Sequence, residues 1–476
     1  MNIKHETILL NKHKLPVTVS ALCSILSCEY ELRRIDKDKV LSHIVVSDND
    51  IIDKDCLFIP YDENDDQCRM MVSKGAGGVL TDHYIENVPC IIVNNIIDAL
   101  YSICEWMFNA IDVPTVAVVG SVGKTTTKRM IKNVLETDRS VFCQSGNYNT
   151  FQAMCCAFQH VTCGTEIIVQ EVDEKRVNNT ANCSKILKPR IAVVTNIAES
   201  HIGFYGSKQA LIGSFKGINQ GMPDDGILII NGDDEDSLRA GFEKQIITIG
   251  IFDETCEYIA RNIMLNSNGT SYDLYHRDMR IARIKIRTYG IHNVYNSLMA
   301  FVVGLLQGVS VANICKGLIK FRNYRLRQNI SKIGKTMIYA DCYNASATSV
   351  RYAIECFDNI THGGKSVLVL GDIAEIEGYE NETYQQIAEF VNGSKADYLC
   401  TYGMESRQVL QNITRSIGNS HAFTASDLID HLNKLKKKGY KCFLFKGSRK
   451  MKMEEVIKEV FPLHWYKMII EERLFH

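Results

Sequence analysis

The sequence predicts an α/β protein of three domains, with a phosphate-loop α/β domain in the centre and a doubly wound, Rossmann-like domain at the C-terminus. Three observations predict it. The stretch Val116 to Met130, VAVVGSVGKTTTKRM, is a strand-like run that breaks into a glycine loop and then a helical pattern. Short apolar runs alternate with helical stretches before and after it, and 476 residues are too many for one core. The expected boundaries are 1–112, 113–308 and 309–476.

In the first unit, HIVVS, CLFIP, GGVLT and CIIVNN alternate with helical stretches such as DALYSICEWMFNA, and Asp112-Val113-Pro114 punctuates its end. The central unit carries the strand-like runs EIIVQEV, RIAVVTNI, GILIING and QIITIGI. From Cys256 to Tyr289 polar and apolar residues alternate around Asn268-Gly269, a hairpin pattern, and a helix from about Asn293 to Leu306 follows. The last unit alternates TMIYADC, SVLVLGDI, ADYLCTYG and YKCFLFKG with helical segments, which predicts a parallel doubly wound sheet.

Gly120 and Gly123 permit a tight turn that brings backbone N–H groups and the positive end of a helix dipole to one spot. Such a spot suits a di- or triphosphate. Lys124 is placed to reach the β- and γ-phosphates and Thr125 to ligate Mg²⁺, with Ser121 and Val122 completing a GxxGKT loop and Thr126 following it as a further ATP-site residue. The longer GxxxxGK[ST] loop is not met, because Val118 stands where its first glycine would be. A glycine-rich turn with a surface lysine is the competing reading.

Lys and Arg number 54 against 55 Asp and Glu, so there is no global basic field to hold nucleic acid or an anionic membrane. The run Lys434 to Lys438 reads as the solvated end of a helix. The 17 cysteines are scattered without a CxxC pair, which suggests reduced cytosolic thiols. No apolar run approaches the roughly 18 residues of a membrane helix. A cytoplasmic protein without nucleic-acid or membrane partners is expected.

Four stretches together resemble the Mur ligase family, and within it the branch that adds D-alanyl-D-alanine: GSVGKTTTK from Gly120, TNIAESHIGFYGS from Thr195, ADCYNASATS from Ala340 and KGSRKMKME from Lys446. The resemblance spans roughly residues 45 to 457. It implies an enzyme that activates a carboxylate with ATP as an acyl phosphate and then joins it to an amine. It also implies roles. Thr125, Glu171 and His201 would be metal ligands, and Asn296 would read adenine through its two-faced amide. Asp341 would contact ATP from the third domain, and Arg325 or Arg327 would clamp the γ-phosphate. Asn147 and Asn149 would hold a sugar nucleotide; Asn344, Ser346 and Arg449 would face the amine substrate, although Arg449 equally suits capping of the sheet.

Departures from the family's pattern are as informative. The lysine that is carbamylated in the family falls on Phe215, and Lys216 is next to it, although one residue along a helix rotates a side chain by about 100 degrees. Asp48-Asn49-Asp50 stands where the family has Asp-Ser-Arg, Asp66-Gln67-Cys68 replaces Asp-Gly-His, and Thr150, Ala153 and Cys155 replace residues around the sugar-nucleotide asparagines.

These readings predict a monomeric, ATP- and Mg²⁺-dependent amide ligase joining an acid, such as a uridine-linked muramyl peptide, to an amino acid or dipeptide, with Lys124, His201 and conditionally Lys216 as catalytic residues. The alternatives are a paralogue acting on another acid and amine, and an ATP-binding scaffold or regulator with weakened turnover. A plain phosphate-loop kinase or ATPase is a further rival, against which the three downstream stretches count.

Overall fold

A computed structural model describes residues 16–475, apart from 48–49, 61–63, 110, 112, 145–148, 163, 175–177, 199–204, 267–268, 325 and 362–364. Among the described residues there are three larger sheets, one for each predicted unit. The first holds β1 (Tyr30–Arg33), β2 (His43–Val45), β3 (Cys56–Phe58), β4 (Gly78–Thr81) and β5 (Cys90–Val93) in the order β1-β5-β4-β3-β2, with only β1 antiparallel to its neighbour. Helix α1 (Ile96–Asn109) joins this unit to the next. Its Tyr101 stacks on Phe151 and its Phe108 lies 5.1 Å from Phe158, ring centre to ring centre. Gln159 adds a polar clamp, accepting from Ile44 N at 3.0 Å and donating to Ile44 O at 2.9 Å.

Among the described residues the central sheet has nine strands. β6 (Thr115–Val119) lies between β8 (Ile167–Glu171) and β9 (Ile191–Val194); β7 (Val141–Cys143) flanks β8, and β10 (Ile227–Asn231) and β11 (Gln245–Gly250) continue beyond β9. β12 (Tyr258–Asn266), β13 (Gly269–His276) and β14 (Met279–Ile286) form the antiparallel extension that the hairpin pattern predicted, with Asn268 itself outside the described residues. All five residues of β6 are buried. Ala117 and Val119 enter one core and Val116 and Val118 the other, so the run is apolar on both faces because both faces are covered.

Register decides where the chemistry sits. Glu171 pairs with Val118 and Val194 with Val119, so Glu171, the loop after Val119 and Thr195 all emerge at one edge, the carboxyl ends of parallel strands. Helix α2 (Lys124–Leu135) leaves that edge. The sequence pattern began the last unit at 309, whereas Val309, Ile314, Leu318 and Phe321 share the central core with Met130 and Val134.

The C-terminal sheet runs β15-β16-β20-β17-β18-β19, from β15 (Asn329–Ile333), β16 (Thr336–Ala340), β17 (Ser366–Gly371), β18 (Tyr398–Tyr402), β19 (Gly418–Ala422) and β20 (Cys442–Lys446). Only β15 is antiparallel. Ala340 pairs with Phe445, which puts Asp341 and Lys446 side by side. Among the described residues fourteen cysteines carry free thiols, and Cys104, against the expectation of reduced thiols, is disulfide-bonded. Among the described residues no helix is long and apolar enough to cross a membrane.

Candidate active site

The loop from Gly120 to Gly123 turns as the sequence requires. Both glycines have positive φ, 133° and 93°, and a Cβ would lie 2.0 Å from Thr195 Oγ1 at the first and 2.7 Å from Asn296 Oδ1 at the second. Gly123 caps α2 with no side-chain hydrogen bond, which leaves the positive end of the helix dipole facing the loop. The expectation that the turn brings its backbone N–H groups to one spot needs one correction. Ser121 N donates to Asn196 O at 2.9 Å and Val122 N to Asn196 Oδ1 at 3.1 Å, so two of them brace the loop instead. Asn196 Nδ2 and Thr195 Oγ1 both donate to Val122 O, and Ser121 Oγ bonds Ala198. Thr195 to Ala198 is thus a strut, a role sequence reasoning did not assign.

Lys124 and Thr125 start α2 and are both buried. Thr125 Oγ1 donates to Glu171 Oε2 at 2.9 Å, and Asn149 Nδ2 donates to Glu171 Oε1 at the same distance. Lys128, one turn beyond Lys124, brings its ammonium to 3.4 Å from Glu171 and donates to Gln144 O. Burial would raise the Glu171 carboxyl, but Lys128, Lys124, Arg327 and the Asn149 hydrogen bond hold it below the usual carboxylate range. Lys124 Nζ donates to Gly120 O at 2.5 Å and to Glu174 Oε2 at 2.8 Å, with Asp173 at 3.6 Å. Burial would lower its pKa; these carboxylates raise it above the ordinary lysine value.

Sequence reasoning missed Lys128, Asp173 and Glu174. The signals were present: a lysine at i+4 from Lys124 shares its helix face, and the acids follow Glu171 directly in EVDE.

Asn296, on α3 (Ile291–Leu306), accepts from Thr127 Oγ1 at 3.0 Å and lines the same cleft as Thr125 and Thr126. The opposite wall comes from the C-terminal unit. Lys446 Nζ lies 3.2 Å from Asp341 Oδ2 and donates to Asn344 O at 2.6 Å. Of the two candidate arginines, Arg327 lines the cleft, its guanidinium 4.4 Å over the Tyr343 ring and its buried Nε without a hydrogen-bond partner; Arg325 lies outside the described residues. His292 stacks on Tyr352 and faces Gln328 and Asp341, and burial pushes its imidazole down to about 4.

Other predicted residues stand apart. Ser346 lines the cleft but is also the N-cap of α4 (Ala347–Ile360), in a capping box with Ser349. Arg449 pairs with Glu454 and is not among the residues that line the cleft. Phe215 is fully buried on the helix Lys208–Lys216, and Lys216 points away to the surface, 3.8 Å from Glu243. Lys216 is not among the residues that line the cleft. His201 and Asn147 lie outside the described residues. The substituted positions have structural partners: Asp50 caps the backbone of Val46 and Ser47, Cys68 is buried in a core, and Thr150 caps the helix Phe151–Phe158.

This geometry agrees with comparison to known proteins. Residues 118–304 match the Mur ligase middle domain, and residues 325–449 match the Mur ligase glutamate ligase domain. A UDP-N-acetylmuramoyl-tripeptide--D-alanyl-D-alanine ligase of Bacillus subtilis is 28% identical over 435 residues, covering 89% of this chain and 94% of that protein. A crystal structure of MurF from Acinetobacter baumannii superposes with a TM-score of 0.82 at 21% identity, over 94% of this chain and 99% of that one. MurF ligase from Thermotoga maritima, in complex with ADP, gives 0.74 at 21% identity over 90% and 98%. The protein, with its three α/β units and its phosphate loop strutted from Thr195, belongs to the Mur ligase family.

Proposed function

We propose that the protein is an ATP-dependent amide ligase that acts through an acyl phosphate, with a uridine-linked muramyl tripeptide as acid and D-alanyl-D-alanine as amine. The observation that carries this reading is the cleft itself. Lys124, Thr125 and Glu171 line one wall, and Arg327, Asp341 and Lys446 line the other, so cations suited to phosphate and oxygen donors suited to a metal converge from two domains. The reading also draws on the similarity to D-alanyl-D-alanine ligases along most of the chain.

In the reaction, a carboxylate oxygen attacks the γ-phosphorus and ADP departs. The amine then adds to the acyl carbon and inorganic phosphate leaves. Lys124 and the α2 N-terminus hold the phosphates, and Arg327, with its unpaired Nε, is suited to the γ-phosphate charge that develops. Thr125 Oγ1 and the ionised Glu171 are hard oxygen donors 2.9 Å apart, which suits Mg²⁺; the cation when bound would neutralise phosphate charge. Asn296 orients the adenine in this reading, with its amide held by Thr127 and Asn293. We place the enzyme in the cytoplasm as a monomer.

The test is mass spectrometry of the product after incubation of ATP, Mg²⁺, the tripeptide nucleotide and the dipeptide with the purified chain. A pentapeptide nucleotide supports the assignment, and its absence beside a product from another acid would move the assignment to a paralogue. A second reading, an ATP-binding regulator with weakened turnover, rests on Phe215, whose burial leaves no lysine at that position to carry a carbamate. Binding of ATP without turnover on any acid and amine pair would favour it.

A further inference from the structure

Two carboxylates that the proposed reaction leaves unused lie against the phosphate loop. Glu174 and Asp173 are 1% and 5% exposed, and both reach the Lys124 ammonium. Among the described residues they make, together with Glu171, three carboxylates on the central-domain wall beside two ammonium groups, Lys124 and Lys128. Arg327 approaches Glu171 only from the opposite wall, where Asp341 and Lys446 offset each other.

The acidic pair is fixed in place. The Tyr205 hydroxyl donates to Glu174 O and lies 2.8 Å from Ser214 Oγ, which ties the backbone to the helix that carries Phe215. Asn179 Nδ2 donates to Asp173 O at 2.6 Å, and Asp173 N donates to Asn149 O at 3.0 Å. With its backbone pinned on both sides, this segment keeps its charge beside Lys124. Charge there opposes a polyanion strongly, since burial reduces screening.

We propose that Glu174 is a specificity-determining residue whose carboxylate competes with nucleotide phosphates for Lys124, so that the site accepts the magnesium complex of the nucleotide and rejects the free anion. This rests on the phosphate-site part of the ligase reading and adds a role for a residue that reading does not employ. Asp173, farther from the ammonium, contributes in the same sense and less.

The experiment is calorimetric titration of ATP into the full-length chain, in excess magnesium and in EDTA, for the wild type, Glu174→Gln and Asp173→Asn. Without magnesium, Glu174→Gln should bind ATP roughly tenfold more tightly than wild type, and with magnesium the gain should be much smaller. Asp173→Asn should shift the same ratio by less, and it decides the question if Glu174→Gln does not fold. A role confined to packing would not move the magnesium ratio. Wild-type binding with no gain in EDTA for the folded variants overturns this inference alone. No ATP binding by any chain, with or without magnesium, overturns the ligase reading as well.

Discussion

Thr125 Oγ1 donates to Glu171 Oε2 across 2.9 Å, joining the first turn of α2 to the last residue of β8. The contact exists because parallel register brings the ends of β6 and β8 together, and it places two oxygen donors beside Lys124. From this relationship, and from the ion network around it, the following outcomes are expected.

Replacing Lys124 with Ala should abolish ATP binding in a calorimetric titration. It should also destabilise the fold by about 3 kcal/mol, because Glu174 and Asp173 lose a buried counter-ion. Chemical denaturation reads the second effect separately from the first.

Gly123→Ala forces a side chain onto a φ of 93° and into Asn296 Oδ1. The expected cost is about 1–2 kcal/mol of stability, with a clear rise in the KM for ATP as the loop and Asn296 move apart. Unchanged KM would show that the loop tolerates the shift.

Asn196 touches no predicted ligand, and its side chain only braces Val122. Asn196→Ala should nevertheless raise the KM for ATP and cost about 1–3 kcal/mol through two lost hydrogen bonds, which a thermal melt with and without ATP would reveal.

Lys216→Ala should leave turnover at the wild-type level, since its partner is Glu243 at the surface. Phe215→Lys would put a charge into a fully buried position and should lower stability by several kcal/mol. A gain in turnover there would show that a lysine can reach the site from this helix.

His292 gives the fold an acid limit. Burial holds its imidazole at about 4, down from 6.5, so the unfolded chain takes up the proton first as pH falls. Its contribution is complete above pH 6.5 and is lost as pH drops toward 4, about 1–3 kcal/mol in all. Denaturation of His292→Gln should show a flatter pH dependence over that window.

The strand, loop and helix around Gly120 were legible in the sequence because local rules fix them: β-branched runs make the strand, and only glycine suits the two positive φ positions. Glu171 and Asp341 were legible through the resemblance, since each sits at the end of a strand whose run could be read. The place of Arg327 in the cleft, the brace from Asn196 and the ion pairs of Lys124 were not. They depend on contacts separated by tens of residues, and no local pattern encodes which of several polar side chains will face a loop. The helix Val311–Lys320 shows the same limit, for its amphipathic face does not say which of two cores it joins.

The most direct test of the central claim is release of phosphate from ATP and Mg²⁺ by the purified protein, with the uridine-linked tripeptide and D-alanyl-D-alanine together and with each omitted. The account predicts release that requires both substrates and disappears in Lys124→Ala. Release indifferent to both substrates, or tight ATP binding with no release for any acid and amine, would contradict it.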